Sequence, residues 1–180
     1  FHKINKNKNF VPGFLCVLHT FGRPLEWNPH IHCLLTEGGF SDDGFWRVVK
    51  HFNYTYLRKA FQTALLNEME KRIGSNFKKT KAAIYLKDKN GFYVYAKPNL
   101  CDVDTVVKYI SRYLGRPVIA TNRIDAYDGS NVTFHYNKHE DNSFVQKTIP
   151  VLDFIQLLIQ HIPEKHFKMT RYYGLYARQR

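Results

Sequence analysis

Two apolar runs near the start of the chain, GFLCVLHT at 13–20 and PHIHCLLT at 29–36, are separated by a polar break containing Gly22, Arg23 and Pro24. A proline after a glycine ends a strand, so the two runs read as an antiparallel hairpin with a longish loop. Strand side chains alternate, which places Ile31, Cys33 and Leu35 on one face and His30 with His32 on the other. With the loop centred near Pro24 and Leu25, His19 falls opposite His30, Val17 opposite His32 and Leu15 opposite Leu34. That register brings a third imidazole to the same face, where cross-strand neighbours lie about 5 Å apart. A lone histidine is usually an ordinary core or surface residue. A pair one pleat apart has the spacing at which one cation is gripped.

Further along, 54–73 carries Leu57, Phe61, Leu65 and Met69 at four-residue steps, with Asn53 as N-cap and Gly74 as stop, and predicts an amphipathic helix. KAAIYLKDKNGFYVYAKP reads as two strands joined at an Asn-Gly turn, and NRIDAYDGSNVTFHYNKH repeats the design at Asp-Gly-Ser-Asn. Between them, CDVDTVVKYISRYLGRP predicts a helix begun by Asp102 or Asp104 and ended by Gly115 and Pro117, burying Val103, Val107, Ile110 and Leu114. VLDFIQLLIQHI predicts a last helix before a basic, tyrosine-rich end. The order is that of one α+β domain over 1–180, an antiparallel sheet with helices packed on it.

Lys and Arg total 27 against 15 Asp and Glu, a net charge of +12 that makes nucleic acid the default partner. With 44% hydrophobic and 16% aromatic residues the chain can bury a core, which excludes a disordered tail. Cys16, Cys33 and Cys101 are odd in number and in apolar settings, as expected of separate buried thiols in a reducing compartment. No apolar run reaches the roughly twenty residues that span a bilayer, so no membrane role is expected. A cytoplasmic, nucleoid-associated protein follows. The abrupt FHKINKNKN and YARQR ends suggest a piece of a longer chain.

Tyr109 and Tyr113 are four residues apart, which stacks both phenols on one face of their helix, beside a basic stripe of Lys108 and Arg112. Tyrosine pairs at this spacing are commonly packing. Beside a metal-ready histidine pair and a basic surface they take a second meaning: a phenolate can attack a phosphodiester whose phosphorus is polarised by a bound cation. The combination describes a nickase that captures a DNA end covalently.

PHIH and YISRY, in that order along the chain, resemble the His-hydrophobe-His and Tyr-x-x-x-Tyr motifs of the HUH endonucleases, and within them the two-tyrosine transposases of rolling-circle insertion sequences. HTFGR, EGGF, YAKP, RYLGRPVIA and RYYGLYA are similar to the same family, so the likeness covers nearly the whole chain. The resemblance implies a ferredoxin-like sheet with the histidines on a central strand. It implies cleavage of single-stranded DNA that leaves a 5′-phosphotyrosine and a free 3′-hydroxyl, with Mg²⁺ or Mn²⁺. His30 and His32 would then be metal ligands and Tyr109 and Tyr113 the nucleophiles, with Tyr109, further from the helix end, favoured as first attacker. The third ligand varies in this family; the register favours His19, with Glu26 as rival. Arg116 and Arg123 lie near the tyrosine helix, where they can meet phosphate. The cysteine-rich zinc-binding segment usual upstream in the family does not fall within these 180 residues, and the sequence leaves open whether the full protein carries one and what its oligomeric state is.

Other readings fit less well. Histidine-triad hydrolases need a third alternate histidine where this chain has Leu34. A non-catalytic single-strand-binding module has no need of paired strand histidines and would carry an aromatic RNA-binding strand motif that is not present. A structural zinc site wants four closed ligands. A replication-initiator nickase of the same HUH group remains an alternative.

Overall fold

In the computed structural model of the protein, residues 10–49, 53–95 and 102–177 are described. The architecture is α+β, with antiparallel strands in two sheets and helices packed on them. The chain forms two compact units: a larger one of 10–46 with 101–180, and a smaller one of 1–9 with 47–100.

In the larger unit, β1 (Phe10–Phe21) and β2 (Trp27–Ser41) pair antiparallel in the register that the loop predicted: Leu15 faces Leu34, Val17 faces His32 and His19 faces His30. A short β3 (Trp46–Val48) follows in the chain, which passes into the smaller unit at Arg47. On the other side of β1 lies β7 (Thr170–Gly174), a strand that the tyrosine-rich end did not announce; Leu15 faces Tyr172 and Val17 faces Thr170. Gly174 sits at φ +59, and a Cβ there would come within 1.8 Å of the Pro12 carbonyl oxygen. Only glycine closes this strand end.

Helix α3 (Val103–Leu114) lies over β1 and β2, begun by Asp102, whose carboxylate accepts the Thr105 N–H at 2.9 Å. Its buried side differs from the apolar stripe. Val103 and Val107 are 76% and 52% exposed, while Ile110 is buried against Leu15 and Val17 with Tyr113 and Leu34 beside it. The helix is turned so that a tyrosine faces the histidines, and the valines are left outside.

The second sheet is β4 (Ile124–Tyr127), β5 (Asn131–Asn137) and β6 (Phe144–Pro150). The first two strands join through the predicted turn, where the Asp128 carboxylate accepts the Ser130 and Asn131 N–H groups and Gly129 takes φ +96. β6, unanticipated, pairs along all of β5. Helix α4 (Val151–Ile159) follows, and Val132, Phe134 and Phe154 form a core. Leu25 joins that core fully buried, so the loop between β1 and β2 reaches into the second sheet's interior. Its backbone is at φ 68, and its carbonyl accepts from Gln160 and from the buried His161, whose other nitrogen meets the Thr20 hydroxyl at 3.0 Å. Arg23 donates to the Asn137 and Lys138 carbonyls at 2.9 Å each. The hairpin is thus strapped at its turn.

The smaller unit holds α1 (Tyr54–Ile73) and α2 (Lys78–Lys87). Asn53 caps α1 and Gly74 stops it, as expected, but the buried positions are Gln62 and Leu66; Phe61 and Leu65 are 37% and 39% exposed. Gln62 offsets its burial by donating to the Asp88 carbonyl at 3.0 Å. α2 corrects the sequence reading, which made this segment the first arm of a hairpin. Lysine, alanine and leucine dominate it and favour a helix, and Lys81 ties it to Glu70 at 2.6 Å. Residues 92–95 form no strand, and 96–98 of the expected second arm lie outside the described residues. The cysteines also differ from expectation: Cys33 is exposed and its Sγ lies 3.5 Å from that of Cys16, while Cys101 lies outside the described residues. Among the described residues no helix is long and apolar enough to cross a membrane.

Candidate active site

The two-residue pleat of β2 points His30 and His32 to the side covered by α3, and the register with β1 adds His19. A register shift between His19 and Phe21 buries both His19 and Thr20 and lets the Phe21 ring stack on His19 at 5.1 Å. The imidazole centroids lie 4.9 Å apart for His30 and His32, 4.9 Å for His19 and His32, and 5.6 Å for His19 and His30. One ligand atom from each of the three lies within 4.8 Å of the others.

Hydrogen bonds orient two of the rings. The Nε2–H of His19 donates to the Tyr113 carbonyl at 2.8 Å, and the Nδ1–H of His30 donates to the Asn28 carbonyl at 2.7 Å. A carbonyl only accepts, so each contact sets the tautomer and leaves a lone pair on the ring's other nitrogen. This is the support that metal-ligating histidines commonly have. Burial pushes the His32 pKa down to about 4, helped by His19, His30 and the Arg116 charge. His19 is also lowered, chiefly by burial; the Tyr113 carbonyl opposes the shift, and His30 and Arg116 reinforce it. Both rings are therefore held in the neutral form that ligates a cation.

The tyrosine helix meets this cluster directly. The Tyr113 ring stacks on His32 with centroids 3.6 Å apart and planes 19° from parallel, and Tyr109 lies one turn back, its ring 5.0 Å from that of Tyr113. Tyr113 is half-buried; Tyr109 is 44% exposed. At the end of the helix, Arg112, Tyr113 and Arg116 line a depression with Ser111, Gly115 and Pro117. Lys108 is on the exposed side of α3. Arg123 is engaged otherwise: its Nε donates to the His135 carbonyl at 2.9 Å and its Nη2 to that of Arg23 at 2.6 Å. Burial, Arg116 and Arg23 all lower its pKa, so it belongs to a cationic cluster while bracing the hairpin loop.

Glu26, the rival third ligand, is exposed on the loop and is not in the histidine group. The residues that the sequence left without a role are those holding the loop, His161 and Arg23. A polar pair, Gln160 and His161, closing the apolar α4 run was the one local signal for them.

The chain matches the family described as "Putative transposase" (Y2_Tnp) over residues 13–180. It is 27% identical over 185 residues to the transposase for insertion sequence element IS801 of Pseudomonas savastanoi pv. phaseolicola, covering 96% of this chain and 45% of that protein. It is 32% identical over 182 residues to "Putative transposase y4qJ" of Sinorhizobium fredii, covering 90% of this chain and 45% of that one. The chain thus spans about half the length of the curated relatives it matches. No solved structure matches it. With the match running from β1 through β7 and across both the histidine hairpin and the tyrosine helix, the chain belongs to the Y2_Tnp family of insertion-sequence transposases.

Proposed function

We propose that this chain is the catalytic core of an HUH-type two-tyrosine transposase, nicking and rejoining single-stranded DNA through a 5′-phosphotyrosine. One observation carries the reading: a phenol stacked at 3.6 Å on one of three converging imidazoles, with a second phenol one turn away.

His19, His30 and His32 would hold a divalent cation, Mg²⁺ or Mn²⁺, which when bound supplies positive charge at the scissile phosphate. The donor set fits such an ion: His19 and His32 are held neutral, two of the rings are oriented by backbone carbonyls, and one nitrogen of each of the three converges. Imidazole donors suit transition metals better than Mg²⁺, which prefers oxygen, so Mn²⁺ is the better match of the two.

The chain's own groups carry the rest. A tyrosine phenol, once its proton is lost, attacks phosphorus; the Tyr Oη–P bond forms, the bond to the 3′ oxygen breaks, and that oxygen leaves as a hydroxyl. Tyr113 is the phenol in contact with the imidazoles, and Tyr109 is placed to follow or precede it by a small shift of α3. Arg112 and Arg116 border the site and supply fixed positive charge for the phosphates, with Lys108 and Arg123 extending it. With net charge +12, single-strand affinity should fall with salt at a log–log slope of about −0.7 per neutralised phosphate.

The test is incubation with single-stranded DNA from an insertion-sequence end and, separately, the same duplex, each with Mn²⁺, Mg²⁺ or Zn²⁺. Metal-dependent cleavage of the single strand with a denaturation-resistant protein–DNA adduct supports the reading. Binding without cleavage under every metal would leave a non-catalytic DNA-binding module.

A further inference from the structure

The histidine hairpin has a second face, away from α3. There the β1 and β2 side chains are Phe14, Cys16, Leu18, Ile31, Cys33 and Leu35, and two of the six are thiols. Cys16 and Cys33 are direct cross-strand partners, their sulfurs 3.5 Å apart. Directly opposed antiparallel residues have Cα atoms about 4.5–5.5 Å apart, inside the 4.4–6.8 Å span of disulfides. The backbone therefore needs no rearrangement to join them. Cys33 is exposed, which gives a small oxidant access to the pair.

We propose that Cys16 and Cys33 are a modification site: a thiol pair that a hydroperoxide converts to an intrachain disulfide across the hairpin. The Cys16 sulfur, held below the usual thiol range by its hydrogen bond with Cys33, attacks the peroxide, forming an S–O bond as the O–O bond breaks and, for hydrogen peroxide, releasing water. The Cys33 sulfur then attacks the sulfenic acid, forming the S–S bond as the S–O bond breaks and a second water leaves. Two thiols are oxidised, two hydrogens are lost, and the peroxide is reduced to water. A dithiol reverses it.

The placement gives the bond a consequence. The joined rung is next to the one pairing Val17 with His32 and lies on the opposite face, so it closes the hairpin covalently around the histidine-bearing strands without touching an imidazole. It would hold β1 and β2 in the register that brings His19, His30 and His32 together. The inference rests on the hairpin alone, and it stands whether or not the chain cleaves DNA.

The full chain carrying Cys101→Ser is treated with hydrogen peroxide, thiols are blocked, and chymotryptic fragments cut between the strands at Phe21 and Trp27 are weighed. The expected product is a Cys16 fragment joined to a Cys33 fragment with the loss of two hydrogens, monomeric in size, released by dithiothreitol and abolished by Cys33→Ser. The same mapping on the unsubstituted chain decides the matter if either variant fails to fold. Two thiols still free after treatment, Cys16 oxidised to sulfinic acid with Cys33 unreacted, or a link found only between two chains would each overturn the proposal.

Discussion

Two sheets of the larger unit are each covered by an amphipathic helix, and their interfaces are built from different chemistry. Under the second sheet the packed cluster is apolar, Val132, Phe134 and Phe154 plugged by Leu25 from the hairpin loop, with the polar His161 and Thr20 confined to the loop's edge. Under α3 the buried apolar residues among those described are Leu15, Val17 and Ile110, and one step along the same face the contacts become imidazole on phenol. A sheet serving only packing would continue its aliphatic rungs past Val17. This one exchanges them for three histidines, two of them with depressed pKa values, and accepts the desolvation that this entails. The apolar sheet acts as ballast, strapping the hairpin through Arg23, Leu25 and His161, so that the polar interface can be kept.

The sharpest way to break this contrast is to remove the histidines. His30→Ala and His32→Ala should each abolish metal-dependent cleavage while the chain stays folded and still binds single-stranded DNA, checked by nuclease assay beside circular dichroism. Cleavage retained in both would mean that the polar interface is only unusual packing.

Next in size is the ballast itself. Phe134→Ala should cost about 3–5 kcal/mol in a denaturant titration, the range for a fully buried phenylalanine. Ile110→Ala should cost about 2–5 kcal/mol, and where both proteins are still folded it should also slow cleavage, because Ile110 seats the helix that carries Tyr113. If the two variants lose activity only in proportion to unfolding, the division between supporting and reacting interface is wrong.

A smaller effect separates ligand from neighbour. His19→Ala should weaken Mn²⁺ binding roughly 10–100-fold, by analogy with losses at supporting positions of metal sites, and Glu26→Ala should leave it unchanged. Calorimetric titration checks both; the opposite result would give the third position to the loop carboxylate.

The smallest is a pH effect. His32 titrates near 6.5 unfolded and about 4 folded, so between those values the unfolded chain binds the extra proton and stability rises with pH. His32→Gln should flatten that part of the stability profile and leave the metal-free protein relatively more resistant toward pH 4. An unchanged slope would mean that the ring is not desolvated as the geometry has it.

The hairpin was readable from sequence because its information is local: a Gly-Arg-Pro break sets the loop, alternation sets the faces, and together they gave the pairing of His19 with His30. The Asp128 turn and the Asn53 and Asp102 caps were readable for the same reason. What failed depends on partners far along the chain. β7 exists because β1 has a free edge to pair with, which TRYYG does not encode by itself. On α3 the apolar stripe suggested valines inward, but the helix turns Tyr113 toward imidazoles that the helix sequence does not contain. In α2 the strand-like Ile84 and Tyr85 were outweighed by a lysine- and alanine-rich frame with a cross-helix tie to Glu70. The strap residue His161 had no visible purpose until Thr20 and Leu25 stood beside it.

Peptide mapping of the covalent adduct decides whether the α3 phenols react at the histidine cluster. Wild-type protein, Tyr109→Phe, Tyr113→Phe and the double variant are incubated with single-stranded DNA and Mn²⁺, digested, and the DNA-bearing peptide is identified by mass. The expected results are phosphotyrosine at Tyr109 or Tyr113 in the wild type, impaired strand transfer in each single variant, and no adduct in the folded double variant. An adduct that persists in the double variant, or that maps only to Tyr172 or Tyr173 on β7, would contradict the assignment to α3.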